Sequence, residues 1–205
     1  MVNLSIKLGH CRQTRCNTRG GGSRYLKVAN MIMSLPIKSV VELAANQGML
    51  SAMIAENPSV EKIVAIDYDE LAVDIMYKLL SQQKLSYNCV RKIFPAVADF
   101  TKMSSDTLPE RARGDAVIAL AMTHHLLLSQ HVRLDPMFDI FRRFTNRFIF
   151  VEFMPLGLWD GVHEPPPVPQ WYTEENFVKA MEKHFKILMR MQLGGNRILF
   201  VGELR

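Results

Sequence analysis

From Arg24 onward the chain alternates short apolar runs with amphipathic stretches of helical period. RYLKVANMIMSL places Tyr25, Val28, Ala29, Ile32 and Leu35 at helical spacing, and Pro36 stops that helix. KSVVEL is then a short β-branched run, and GMLSAMIAEN predicts a helix opening at Gly48. EKIVAID predicts a second strand, followed by the helix DELAVDIMYKLLSQQ with Leu71, Ile75 and Leu79 on one stripe. VRKIFPAVAD is a weaker third strand and GDAVIALAM a fourth, with a helix inside THHLLLSQHVRLDPMFDIFRRF. RFIFVEFMP is a fifth strand, after which a proline-rich loop leads into the helix TEENFVKAMEKHF. FKILMRMQL and RILFVGEL, joined by GGN, close the chain as a β-hairpin.

Strands separated by helices form right-handed βαβ units and a mainly parallel sheet. The expectation is therefore a doubly wound α/β domain over residues 24–205, with helices on both faces and an antiparallel strand from the terminal hairpin. No internal repeat is present. Residues 1–23 lack periodicity and end in RGGGS, which predicts a flexible arm.

Charge sharpens that division. The chain of 205 residues carries a net charge of +5, yet no acidic residue precedes Glu42. Lys7, Arg12, Arg15, Arg19, Arg24, Lys27 and Lys38 contribute seven positive charges, and removing those seven from +5 leaves −2 for the remainder. Such an arm suits nucleic acid or anionic lipid as well as plain solvent, although it offers no aromatic platform for bases before Tyr25. No apolar run approaches the ~20 residues that span a bilayer. The N-terminus lacks an apolar block with a cleavage site, and three cysteines do not describe a disulfide framework. A reduced, cytoplasmic protein is the expectation.

The turn after the first strand, ELAANQG, lies where open α/β sheets bind ligands. A phosphate-cradling G-x-x-x-x-G-K-[ST] run is missing. A dinucleotide loop needs several glycines so that backbone amides reach a pyrophosphate, and only Gly48 is available. The loop resembles [D/E]-x-G-x-G-x-G of class I S-adenosylmethionine-dependent methyltransferases, whose cofactor has no phosphate. Glu42 falls on the acidic position, Ala44 and Asn46 on the first two glycines, and Gly48 on the third. Alanine is the smallest replacement, and asparagine tolerates a left-handed backbone better than most residues.

Further signals follow in order. Asp67 ends IVAID nineteen residues after Gly48, where a carboxylate can accept two hydrogen bonds from a ribose diol, while Asp69 is placed to cap the next helix. Asp99 and Phe100 match the family position at which an acid meets the adenine amino group beside an apolar neighbour. DAVIALAMTHHLLL and then RFIFVEFMP resemble a bacterial branch of the family that reads D-x-V-L-A-L-A-x-x-H-H-L and [I/V]-E-F-x-P. The resemblance covers roughly residues 24–205. It implies a seven-stranded sheet with S-adenosylmethionine across its first strand tips, held by Glu42, Ala44, Asn46, Gly48, Asp67, Tyr68, Asp99, Phe100 and Ala121.

Methyl transfer requires two aligned reactants and, for some nucleophiles, a base. His124 and His125 follow the fourth strand, and since adjacent helical residues diverge by about 100°, one of them faces the site at most. Glu152 in VEF is placed to orient an amine or a histidine. Residues 154–172 form a loop long enough to act as a lid, with Trp159, Trp171 and Tyr172 as flat apolar surface. No metal site is expected, because His10, Cys11 and Cys16 lack a fourth ligand, and Cys89 reads as structural. The expected activity is methyl transfer to an oxygen or nitrogen of a small molecule or glycan. An RNA methyltransferase using the basic arm is second, and a catalytically inactive binding module third.

Overall fold

A computed structural model describes residues 21–102 and 111–205 of the chain. The proposed arm and its His10, Cys11 and Cys16 lie outside the described residues, apart from the last part of the glycine string. That part opens helix α1, Gly21–Met33, which begins three residues earlier than the periodicity alone places it. The strands are β1 Ser39–Leu43, β2 Lys62–Asp67, β3 Ile93–Val97, β4 Gly114–Ala119, β5 Thr145–Phe153, β6 Phe185–Gln192 and β7 Ile198–Leu204. The helices between them are α2 Met49–Ala55, α3 Glu70–Ser81, α4 Tyr87–Lys92, α5 Leu134–Arg143 and α6 Glu174–Glu182, with a π-helical turn at His125–Ser129.

All seven strands join one sheet in the order β3-β2-β1-β4-β5-β7-β6. β1, β2, β3, β4 and β5 run parallel, whereas β7 lies antiparallel between β5 and β6. Strand alternation builds two cores. Val41, Leu43, Val64, Val117, Ile149 and Val151 point to a face covered by Phe138 and Phe141 of α5 and Phe177 of α6. Val40, Ile63, Ala116, Ile118 and Phe150 point to the other face, where Val28 and Ile32 of α1, Leu50 and Ile54 of α2, and Met76 and Leu80 of α3 pack. This is the expected doubly wound architecture. Strand order reverses between β1 and β4, which run parallel, so their tips form the switch point where such sheets take ligands.

The structure corrects two local expectations. Leu71 and Ile75 of α3 face solvent, and Ala72, Val73, Met76 and Leu80 are buried in their place. The sequence holds two apolar stripes one residue apart, and the one containing Ala72 lets the helix approach the sheet closely. Val90, Arg91 and Lys92, read as the start of a strand, instead end α4, which Ser86 caps by accepting from the Cys89 N–H at 3.3 Å. Cys89 is buried in that helix. The weak third strand is an edge strand, which accounts for its Pro95: an edge has a ladder position with no hydrogen bond to donate.

Candidate functional site

The turn after β1 is left-handed at every second residue. Ala44 has φ 55°, Asn46 φ 50° and Gly48 φ 75°, the three positions aligned with family glycines. Two hydrogen bonds from the loop to β2 hold this shape. The Ala45 N–H donates to the Ile66 carbonyl at 3.0 Å, and the Asn46 N–H donates to Asp67 Oδ2 at 2.7 Å. Asn46 also folds its side chain back, accepting the Gln47 N–H on Oδ1 at 2.9 Å. Left-handed alanine costs about 1–2 kcal/mol relative to the right-handed form, so the loop shape is imposed by its partners.

Asp67 is the pivot of this end of the sheet. Its Oδ1 accepts the Asp69 N–H at 3.0 Å, and Asp69 caps α3 through the N–H groups of Leu71 and Ala72 at 3.0 and 3.3 Å. Each Asp67 oxygen thus has one backbone donor and retains a lone pair. Tyr68 beside it is 66% exposed, and Val97, the register partner of Asp67, is exposed as well. Glu42 lies buried under the loop and accepts the Ser51 hydroxyl. Burial pushes its carboxyl up to about 7, with Asp67 adding to the effect and Ser51 opposing it.

Asp99 is engaged by its immediate neighbours. Its Oδ1 takes the Thr101 N–H at 3.0 Å and hydroxyl at 2.5 Å, and Lys102 pairs with Oδ2 at 3.0 Å. Burial alone would raise its pKa, but these hydrogen bonds and the Lys102 charge outweigh it and hold the group low. Phe100 belongs to the core.

A second cluster occupies the tips of β4, β5 and β7. Glu152 is fully buried. Its carboxylate accepts the Ala121 N–H at 2.8 Å and pairs with Arg197 at 3.0 Å and Arg24 at 3.4 Å. It faces arginines, and neither histidine bonds to it: Glu152 ties α1 and the β6–β7 turn to the sheet. Ala121 is a further left-handed alanine, with φ 54°. His124 is buried, 6% exposed, and its Nδ1 has no hydrogen-bond partner. Burial, then His125, Arg197 and Arg24, drive its pKa down to about 3. His125 is exposed, its ring centred 4.1 Å from that of His124. So one imidazole is buried and the other exposed, with the two rings in contact.

Sequence reasoning missed Arg24 and Arg197 as site residues. The signal was present in FIFVEF: a carboxylate inside a buried apolar strand demands cationic or N–H partners. In the long loop, Trp171 is exposed, but Tyr172 is buried, its hydroxyl donating to the Met154 carbonyl at 3.0 Å. Tyr172 therefore anchors the loop and offers no surface. Among the described residues no helix is long and apolar enough to cross a membrane, and no three His, Cys, Asp or Glu side chains gather as a metal site.

No family model matches the sequence, and no curated protein matches it. Solved structures do. The methyltransferase domain of bacterial CtHen1-C superposes with a TM-score of 0.70 at 16% identity, over 91% of this chain and 99% of that one. The N-methyltransferase NodS from Bradyrhizobium japonicum WM9, in complex with S-adenosyl-L-homocysteine, gives 0.66 at 11% identity, over 92% and 89%. The N-terminal domain of EvdMO1, in the presence of S-adenosylhomocysteine and D-fucose, gives 0.60 at 18% identity, over 89% and 83%. The fold of this chain is the Rossmann-like class I methyltransferase fold.

Proposed function

We propose that this chain transfers a methyl group from S-adenosylmethionine to an oxygen or nitrogen nucleophile of a small molecule or glycan. The observation that carries the reading is the left-handed backbone at Ala44, Asn46 and Gly48, clamped to Asp67. The loop keeps the glycine conformation without two of the glycines. This speaks against an inactive module, a reading that rested on their loss. The similar structures that hold S-adenosylhomocysteine support the same cofactor here.

The residues present fit that cofactor. Asp67 would hold the ribose diol with its two remaining lone pairs. The exposed Tyr68 and Val97 would flank a flat ring. An adenine amino group would compete with Lys102 for Asp99, and that surface ion pair is weak enough to yield. Glu42 and Ala121 would line the inner end of the site. When bound, S-adenosylmethionine supplies an electrophilic methyl group on a sulfonium centre. The chain itself aligns the acceptor, excludes water and receives any proton released.

His124 is a poor base at neutral pH, because a catalytic base works best with a pKa near the operating pH. It serves as a neutral hydrogen-bonding group. His125, exposed at the start of the π-helical turn, is the histidine placed to accept a proton. Glu152 is a positioning residue: it fixes the Ala121 backbone and two arginines. An N-acceptor has a parallel in NodS, and a sugar in the D-fucose present with EvdMO1.

Calorimetric titration with S-adenosylmethionine and S-adenosylhomocysteine tests the proposal, repeated with Asp67→Ala. Binding to the wild type, lost in the variant, is expected. No binding of either ligand to folded protein would reduce ELAANQG to an ordinary turn and end the enzyme reading.

A further inference from the structure

We infer that the polar cluster around Glu152 receives an anionic group of the methyl acceptor, a carboxylate or a phosphate, through Arg24, Arg197 and His124. The inference rests on the methyltransferase reading and adds the charge of the acceptor to it.

Charge comes first. Arg24 and Arg197 are two fixed cations that share one carboxylate, and with His124 neutral the cluster keeps a surplus positive charge. The Arg24 contacts to Glu152 are long, 3.4 Å to each oxygen, while the same carboxylate is already committed to the Ala121 N–H and to Arg197. Tyr25 offsets part of the cost of burying Arg24, accepting from it on the hydroxyl at 2.8 Å with the ring centre 4.5 Å from the guanidinium, and an anion would offset the rest.

Unpartnered donors give a second, independent indication. Among the described residues, four buried side-chain nitrogens lack a hydrogen-bond partner: Arg24 Nε, His124 Nδ1, Asn196 Nδ2 and Asn57 Nδ2. The first two belong to this cluster, and the third is next to Arg197 in the chain. Arg24 is 8% exposed, His124 6% and Asn196 9%, so solvent does not satisfy them. The arginine and amide nitrogens are donors only, and a neutral imidazole nitrogen can carry the proton. A donor-rich site with surplus positive charge selects a guest rich in lone pairs and negative charge. An ammonium group would meet two guanidinium cations and a carboxylate already committed to them.

Position agrees. The cluster lies at the tips of β4, β5 and β7, on the other side of the switch point from Asp67 and Tyr68. Arg197, with its side chain 30% exposed, opens the cluster to solvent. An anion between the arginines would also offset two of the influences that depress His124.

The test titrates the full chain by calorimetry with inorganic phosphate and, separately, with acetate, and follows the His124 ring by NMR. S-adenosylhomocysteine is titrated in parallel. At least one anion should bind the wild type and move the His124 resonances, and the tighter of the two identifies the class. Arg197→Ala should weaken that binding about tenfold, ~1.4 kcal/mol. Arg197→Lys, which keeps the charge and protects folding, should retain most of it. Glu152→Gln, which removes the competing carboxylate, should tighten it. A purely structural ion cluster predicts no anion binding, or binding that all three variants leave unchanged, and either result overturns the inference. The anion titration needs no cofactor. If the anion binds as expected and S-adenosylhomocysteine does not, the anion site stands and the methyltransferase reading falls.

Discussion

Asp67 and Asn46 lie 21 positions apart and meet across the first two strand tips, where the carboxylate accepts the loop N–H at 2.7 Å. One side chain thereby shapes the loop and presents itself at the site. Asp67→Asn keeps the size but removes the charge from both backbone bonds, each of which is charge-assisted. Affinity for S-adenosylhomocysteine is expected to fall by about 1–3 kcal/mol, with a lower Tm. Calorimetry beside thermal denaturation measures both. Unchanged affinity would show that the ribose is not held here.

Ala44 and Ala121 pay for left-handed backbone that glycine adopts freely. Ala44→Gly should therefore raise stability, or leave it unchanged, with a gain of about 0.5–1 kcal/mol after the added entropy of unfolded glycine. Gly48→Ala should do the reverse, since its Cβ would lie 2.7 Å from Met76 Sδ at φ 75°. Urea titration of the two variants reads opposite signs.

Two buried groups pull the pH dependence of stability in opposite directions. Glu42 is raised from 4.5 to about 7, so the folded state binds more protons in that window and stability falls as pH rises through it. His124 is lowered from 6.5 to about 3, so the unfolded state binds more protons and stability rises with pH from 3 to 6.5. The two offset each other between about 4.5 and 6.5. Glu42→Gln should expose the His124 slope, and His124→Gln the Glu42 slope. Denaturant midpoints across that range give the signs directly. Parallel profiles for wild type and both variants would rule out these buried titrations.

Phe177 of α6 stacks on Phe138, Phe153 and Phe200, with ring centroids 5.0, 4.9 and 5.7 Å away. Truncation to alanine removes a fully buried ring from the face opposite α1. A loss of about 3–5 kcal/mol is expected in chemical denaturation. Affinity for S-adenosylhomocysteine should survive in whatever fraction remains folded, because none of the four rings belongs to the loop after β1.

The strands were legible because alternation and β-branched runs mark them locally, and the parallel sheet followed from their spacing with helices. The loop at Ala44, Asn46 and Gly48 was legible for a different reason: the smallest side chain after glycine and an asparagine, which tolerates left-handed backbone, stand in a glycine pattern. The inward stripe of α3 was not, since Leu71 and Ala72 begin equally good apolar rows and tertiary packing chooses between them. α4 was hidden by its length, as six residues carry too little periodicity to separate helix from strand. The cluster around Glu152 was least visible. Its arginines are separated from Glu152 by 128 and 45 positions, and no local pattern pairs charges over such distances.

That separation bears on how the molecule is made. During synthesis Arg24 emerges early, Glu152 much later, and Arg197 only with the final strand. A nascent chain that ends before residue 197 carries a carboxylate in the middle of an apolar strand with one of its two counter-cations still missing. The loop after β1, by contrast, needs only β2 to be complete. The turn between β1 and α2 can therefore take shape while the ribosome is still at work, and the Glu152 cluster is sealed last, by the terminal hairpin.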